Sequence, residues 1–299
     1  VFQEALLRDS HGADVGFART GLSGLLGHAF EARLMEGSAT LLLGRTAARV
    51  AVDDASRVAY VELSDGERVT ADWYVSALPP GALLGLLPPE VSATPGFAPA
   101  ATHTWSPIVN LHVWYDRPIG DFDFVAFVDS PVQWVFNRTR IAGLDGPGQY
   151  ITLSQSGAWA FWPLSKEELR ELFLPELARL FPRAAEAGVE RFIVVKEQHA
   201  TFRSLPGTMA NRLPTRSPLS NLLLAGDWTD TGWPATMESA VRSGNAAAVD
   251  DYVCALGSLI PSAVLSTVGA DDLACGCECS NMDESCTRSW QQRAHLLAF

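Results

Sequence analysis

The chain has 299 residues, 47% of them hydrophobic, enough for sizeable cores and, at the usual domain size, for two domains. A formal net charge of -12 excludes ordinary nucleic-acid binding, which rests on Lys and Arg neutralising phosphates, and also general adhesion to anionic lipid. No apolar run reaches the roughly 18 residues of a membrane span, and no basic segment leads into an apolar stretch at the start, so the cytoplasm is the expected compartment.

In chain order, residues 1 to about 16 read as a polar remnant. Leu22 to Glu36 suits an amphipathic helix, followed by short strands at Ala39 to Leu43, Ala47 to Val52, Val58 to Leu63 and Arg68 to Thr70. Ser64-Asp65-Gly66-Glu67 is a hairpin turn signal, and Asp72 to Ala77 reads as a buried strand stopped by Pro79-Pro80. From about Thr94 the composition turns Pro- and aromatic-rich, which predicts a second lobe. Its strands are expected at Ile108 to Tyr115, Phe122 to Val128, Gln133 to Asn137, Tyr150 to Ser154 and Val189 to His199. Ser165 to Phe181 predicts a helix opened by a Ser165/Glu168 capping box, with a kink or break near Leu174 because Pro175 interrupts it. The aromatic residues Trp105, Trp114, Phe124, Phe127, Trp134, Phe136, Trp159, Phe161 and Trp162 divide between sheet core and a pocket for a long apolar ligand, core being the default.

The richest stretch lies near the end. Leu222-Leu223-Leu224-Ala225-Gly226-Asp227 reads as a buried parallel strand ending in a carboxylate, and ligands of open α/β sheets sit at such ends. A Trp/Pro/Gly loop follows, and from about Thr236 a helix whose small apolar positions Met237, Ala240, Val241, Gly244 and Ala248 are expected to pack on the sheet. The unpaired amides at its start favour an anion, or a group that becomes negative. Asp227 is placed to accept hydrogen bonds from ligand hydroxyls.

Leu224-Ala225-Gly226-Asp227, Pro234-Ala235-Thr236-Met237-Glu238 and Ala240-Val241-Arg242-Ser243-Gly244 resemble the C-terminal flavin motif of the amine oxidase and phytoene desaturase superfamily. Within it the pattern is most similar to the squalene-associated FAD-dependent enzymes, the hydroxysqualene dehydroxylases of hopanoid biosynthesis. Ala200-Thr201-Phe202, Pro206-Gly207 and Arg212-Leu213-Pro214 resemble the family's lead into the last strand. Gly21-Leu22-Ser23-Gly24-Leu25, Leu41-Leu42-Leu43-Gly44 and Val75-Ser76-Ala77-Leu78-Pro79-Pro80 resemble the middle of its FAD domain.

The resemblance implies an α/β (α+β) chain: an FAD-binding Rossmann-like domain lacking its N-terminal GxGxxG half, plus a mixed-sheet substrate lobe. No G-x-G-x-x-G occurs in the chain, which starts at Val1, so an N-terminally incomplete chain is expected, with a dinucleotide-binding half as its missing partner. The expected domains are residues 1–93 (middle of the FAD domain), 94–205 (substrate lobe), 206–256 (last FAD strand and helix) and 257–299 (a poorly ordered tail). By the resemblance FAD is held by Ala47, Gly226, Asp227, Trp233, Pro234, Ala235, Thr236 and Met237, with Ala47 equally readable as sheet core. The implied substrate is an apolar polyisoprenoid, reached with peripheral membrane contact. Loss of an allylic hydroxyl needs an acid, a dry wall for the cation and a hydride from reduced flavin. Asp230 is the nearest acidic candidate, although capping the Thr229 to Gly232 turn is the stronger reading. His199 and Glu238 are further candidates, but a structurally satisfied strand histidine and a first-turn acid favoured by the helix dipole are the stronger readings, and no catalytic residue is assigned. A desaturase, another amine oxidase family member or a non-catalytic fragment stay open as alternatives.

Cys275, Cys277, Cys279 and Cys286 crowd the tail, but without a histidine at ligand spacing they predict no metal site.

Overall fold

The computed structural model describes residues 7–8, 11–36, 39–257 and 296–298. They fall into two compact units, one of residues 1–43 and 104–203, the other of residues 44–103 and 204–299. Residues 94–103, expected in the lobe, cluster with the second unit. There Phe97 is fully buried, and a side chain at Gly96 would overlap the Pro218 ring.

The chain enters through a π turn, Ser23–Gly27, that runs into helix α1, His28–Glu36. The expected strand at Ala39 to Leu43 does not form. Leu41, Leu42 and Leu43 are exposed with no neighbouring strand, and Gly44 turns the chain at φ +69°. Strands β1 (Ala47–Val52), β2 (Val58–Leu63) and β3 (Arg68–Val69) form an antiparallel sheet, closed by the predicted turn where Gly66 takes φ +87°. Strand β4, Trp73–Ser76, leads into the Pro-started helices α2 (Pro80–Leu86) and α3 (Pro89–Ser92).

In the first unit, β5 (Trp105–Tyr115), β6 (Phe124–Ala126), β7 (Trp134–Asn137), β8 (Gln149–Ser156) and β9 (Val189–Phe202) make one antiparallel sheet in the order β6-β7-β8-β5-β9. A short α4 (Arg138–Ala142) precedes β8 and α5 (Lys166–Leu180) precedes β9. Alternation is strict along β5. Val109, Leu111, Val113 and Tyr115 are buried with Val135, Ile151 and Leu153 under Leu169, Phe173 and Leu177 of α5. Ser165 and Glu168 form the predicted capping box, at 3.1 and 2.7 Å. The predicted break at Pro175 does not occur: α5 continues through it, anchored on both sides by Phe173 and Leu177 in the core.

In the second unit, β10 (Leu222–Leu224) runs parallel to β4, whose other edge pairs in parallel with β11 (Leu296–Ala298). Helix α6, Met237–Gly257, follows β10. Its packing face differs from the expected one. Ser239, Ser243 and Ala247 are buried, whereas Met237 and Val241 are 59% and 57% exposed, and Ala240, Gly244 and Ala248 are exposed too. The buried serines are small, and their hydroxyls find backbone partners, so they can face the sheet without a desolvation penalty. The mixed parallel and antiparallel architecture is the α/β (α+β) class expected. No described helix is long and apolar enough to cross a membrane. The tail cysteines lie outside the described residues, as does the disorder expected there, while Leu296–Ala298 of the same tail is a strand.

Candidate flavin site

The site is built on β10. Its three residues are fully buried between β4 and the α6 side, so the chain emerges at Gly226 in the sharp backbone that follows. Gly226 has φ +131°, and an added Cβ would sit 2.7 Å from Trp228 Nε1. That indole is buried, donates to the Leu78 carbonyl at 3.0 Å and meets the buried His103 ring edge-on. Burial holds the His103 pKa below its ordinary value, so the imidazole is neutral at neutral pH.

The loop from Asp227 to Pro234 is organised by a residue the motif reading did not single out. Arg212 is 5% exposed, and its guanidinium donates to the carbonyls of Asp227 (2.7 Å), Trp228 (3.3 Å) and Trp233 (2.5 Å). It also donates to Thr231 Oγ1 and Ser239 Oγ, which are 2.6 Å from each other. Ser239 Oγ in turn donates to the Asp227 carbonyl at 3.1 Å, and Ser243 Oγ accepts from the Gly226 amide at 2.7 Å. Strand end, loop and helix start therefore form one hydrogen-bonded body, in which the carbonyls point inward to Arg212.

The Asp227 carboxyl is half-buried beside that body. Burial raises its pKa, and the Arg212 charge opposes the rise. Thr236 Oγ1 accepts from the Ser239 amide at 3.2 Å and so caps α6, leaving the other first-turn amides at the loop mouth. Trp233 lies under Arg242, which pairs with Glu238 at 2.7 Å. Glu238 thus holds an exposed ion pair. Asp230 is exposed and, among the described residues, its carboxylate makes no hydrogen bond. The turn it was expected to cap is held by Thr229 Oγ1 donating to Gly226 O and by Arg212 on Thr231.

Gly226, Asp227, Trp233, Pro234, Ala235, Thr236 and Met237 are thus gathered in one strand, loop and helix start. Ala47 stands half-buried at the start of β1, in a different sheet of the same unit. His199 lies exposed near the end of β9 in the other unit, its ring against Trp105 at 5.4 Å. The aromatics of the lobe also divide. Phe127, Phe161 and Trp162 pack on the α5 core, whereas Trp114, Phe124, Trp134 and Phe136 stand on the opposite face of the sheet.

A half-buried carboxylate to accept from ribityl or ribose hydroxyls, a glycine that permits close approach and a helix start whose amides favour an electron-accepting ring meet at the same loop. The residues present fit that end of FAD, and no Gly-rich turn for its pyrophosphate occurs in the chain.

Residues 4–250 match the family of flavin containing amine oxidoreductases. The chain is similar to a hydroxysqualene dehydroxylase of Rhodopseudomonas palustris, 31% identical, over 86% of this chain and 57% of that protein. It is also similar to a 15-cis-phytoene desaturase of Synechococcus elongatus, 30% identical, over 64% of this chain and 43% of that protein. A solved structure described as a putative protoporphyrinogen oxidase from Exiguobacterium sp. matches in fold with a TM-score of 0.59 at 14% identity, over 79% of this chain and 51% of that one. The chain spans about half the length of the curated relatives it matches. The family bears out FAD as the cofactor. With β10, the Gly226-Asp227 loop and α6 arranged as above, the chain belongs to the flavin containing amine oxidoreductases.

Proposed function

We propose that this chain carries the flavin-ring end and the substrate lobe of an FAD-dependent oxidoreductase of isoprenoid metabolism, one that reductively removes the hydroxyl of hydroxysqualene to give squalene for hopanoid synthesis. The observation that carries the reading is the Asp227 loop, locked by Arg212 against the start of α6. Asp227, Gly226 and the Trp233 to Met237 segment hold the ribityl and ring end of FAD, and Ala47 the adenine end. Bound and reduced, the flavin supplies hydride. The protein's own part is to accept the ribityl hydroxyls at Asp227, to place positive helix potential near the ring, and to offer a water-poor apolar wall. Asp230 is the nearest carboxyl in the loop for protonating the leaving oxygen. The greater share of this chain matched by the hydroxysqualene dehydroxylase, 86% against 64%, supports this reading over the runner-up, a desaturase acting on a phytoene-like polyene.

The pyrophosphate half of the cofactor site is supplied by a dinucleotide-binding segment outside these residues. Substrate is drawn from a membrane surface by peripheral contact. Adding FAD to the purified chain and recording the visible spectrum, then supplying either hydroxysqualene anaerobically with reduced FAD or phytoene with oxidised FAD as hydride acceptor, tests the reading. Bound flavin and squalene formation are expected. A colourless protein with excess FAD would leave a non-catalytic fragment, and conversion of phytoene alone would favour the desaturase.

A further inference from the structure

The five-stranded sheet has one face under α5 and one face that its own helices leave open. The open face carries aromatic rings in adjacent cross-strand positions: Phe124 opposite Phe136, and Trp114 opposite Tyr150. Trp114 and Tyr150 stack with centroids 4.2 Å apart and planes 4° from parallel, and Phe17 packs on Phe124 and Phe136 at one end. Set into this apolar surface is one hydrogen-bonded pair. Tyr150 OH lies 2.7 Å from His112 Nδ1, with Thr152 Oγ1 at 3.4 Å from the same nitrogen. The imidazole stacks beside both Trp114 and Tyr150. Among the described residues both partners of the His112 side chain are at Nδ1, so Nε2 is the edge left for a ligand.

We propose that the open sheet face binds an apolar alcohol, its hydrocarbon chain lying on Trp114, Tyr150 and Phe136 and its hydroxyl hydrogen-bonded to His112 Nε2. The proposal rests on the isoprenoid reading above for the class of hydrocarbon, and the hydroxyl preference stands on the pair itself. An alcohol both donates and accepts, so it satisfies Nε2 whichever ring nitrogen carries the proton. An ether or a ketone serves only one tautomer. A cationic amine is disfavoured. Arg191 lies over the Trp114 ring at 5.0 Å, and burial, aided by the Arg138 charge, lowers the His112 pKa. The site therefore has positive neighbours and a neutral imidazole.

Isothermal titration of the full chain with farnesol, farnesene and farnesylamine, without flavin, tests this. One net hydrogen bond predicts farnesol binding about tenfold tighter than farnesene, with farnesylamine no better than farnesene. His112→Phe keeps a stacked ring and should abolish the preference while leaving farnesene affinity within about twofold. Tyr150→Phe frees Nδ1 to rotate and should reduce it by about threefold. Equal affinities for alcohol and hydrocarbon in the wild type, tight farnesylamine binding, an unchanged preference in His112→Phe, or no binding of any probe would each overturn the site. Flavin is titrated separately, so failure of this proposal and failure of the flavoenzyme reading are seen independently.

Discussion

Arg212 Nη2 donates to the carbonyl oxygen of Asp227 at 2.7 Å, across 15 residues of chain, so Asp227 is positioned through its own backbone by a buried cation. The same guanidinium holds Trp228 and Trp233. Replacing it by Leu takes their donor from the Trp228 and Trp233 carbonyls, leaves Asp227 O to Ser239 alone, and is expected to cost about 3 kcal/mol or more. Arg212→Lys keeps the charge but cannot reproduce the fork, so it should fold with an intermediate loss and weaker FAD binding. Urea denaturation with a parallel FAD titration measures both. An Arg212→Leu variant as stable as the wild type would show that the loop does not depend on it.

Gly226 and Trp228 make a paired prediction. Gly226→Ala meets both a φ of +131° and an indole nitrogen 2.7 Å from the new Cβ, for a cost of about 2–3 kcal/mol. Trp228→Ala removes that nitrogen, the Cδ1 edge that would lie 2.8 Å from the new Cβ, and the bond to Leu78. The double variant should then lose less than the sum of the two single losses, because the clash is shared. Strict additivity in thermal unfolding would mean that the strain is in the backbone alone.

The sequence made the strands of the lobe legible because one of their faces is buried: Val109, Leu111 and Val113 alternate with half-exposed neighbours, and period-two patterning reports that directly. It misjudged α6 for a related reason. Hydropathy marks Val241 as inward and Ser243 as outward, yet the Ser243 hydroxyl is satisfied by Gly226 N and Ala240 O and so packs inward. Arg212 was invisible as a site residue because its partners are carbonyls 15 to 21 positions away, which leave no side-chain pattern. The pairing of His112 with Tyr150 depends on the β5/β8 register, which alternation alone does not set. Pro175 was read as a kink or break because of its low intrinsic helix propensity, and the helix runs through it unbroken with Phe173 and Leu177 held in the core.

Burial raises the Asp227 pKa above its ordinary 3.8, which fixes the sign of a pH effect. The folded state binds the proton more strongly than the unfolded chain. The stabilisation is therefore fully present below the unfolded pKa and is lost as pH rises through the folded one. Asp227→Asn should be more stable than the wild type at neutral pH, with the advantage shrinking as pH falls toward the unfolded value. The same variant should bind FAD more weakly, since an amide oxygen accepts ribityl hydroxyls less well than a carboxylate. Stability curves between about pH 7 and pH 4, read beside FAD affinity, check both directions. An Asn variant that is less stable at neutral pH would contradict the assigned cost of the buried charge.

The two faces of α6 separate the observed packing from the one that hydropathy predicts. Ser243 is fully buried, accepts from the Gly226 amide at 2.7 Å and donates to Ala240 O at 2.7 Å. Ser243→Val fills a similar volume but orphans the Gly226 amide at the turn that delivers Asp227, for an expected loss of about 1–3 kcal/mol. Val241, four-sevenths exposed on the other face, can become Gln within about 0.5 kcal/mol in this chain. Urea unfolding of both variants measures the two losses. If Val241→Gln is the more damaging change in the chain alone, the serine face is not the one that docks on β10.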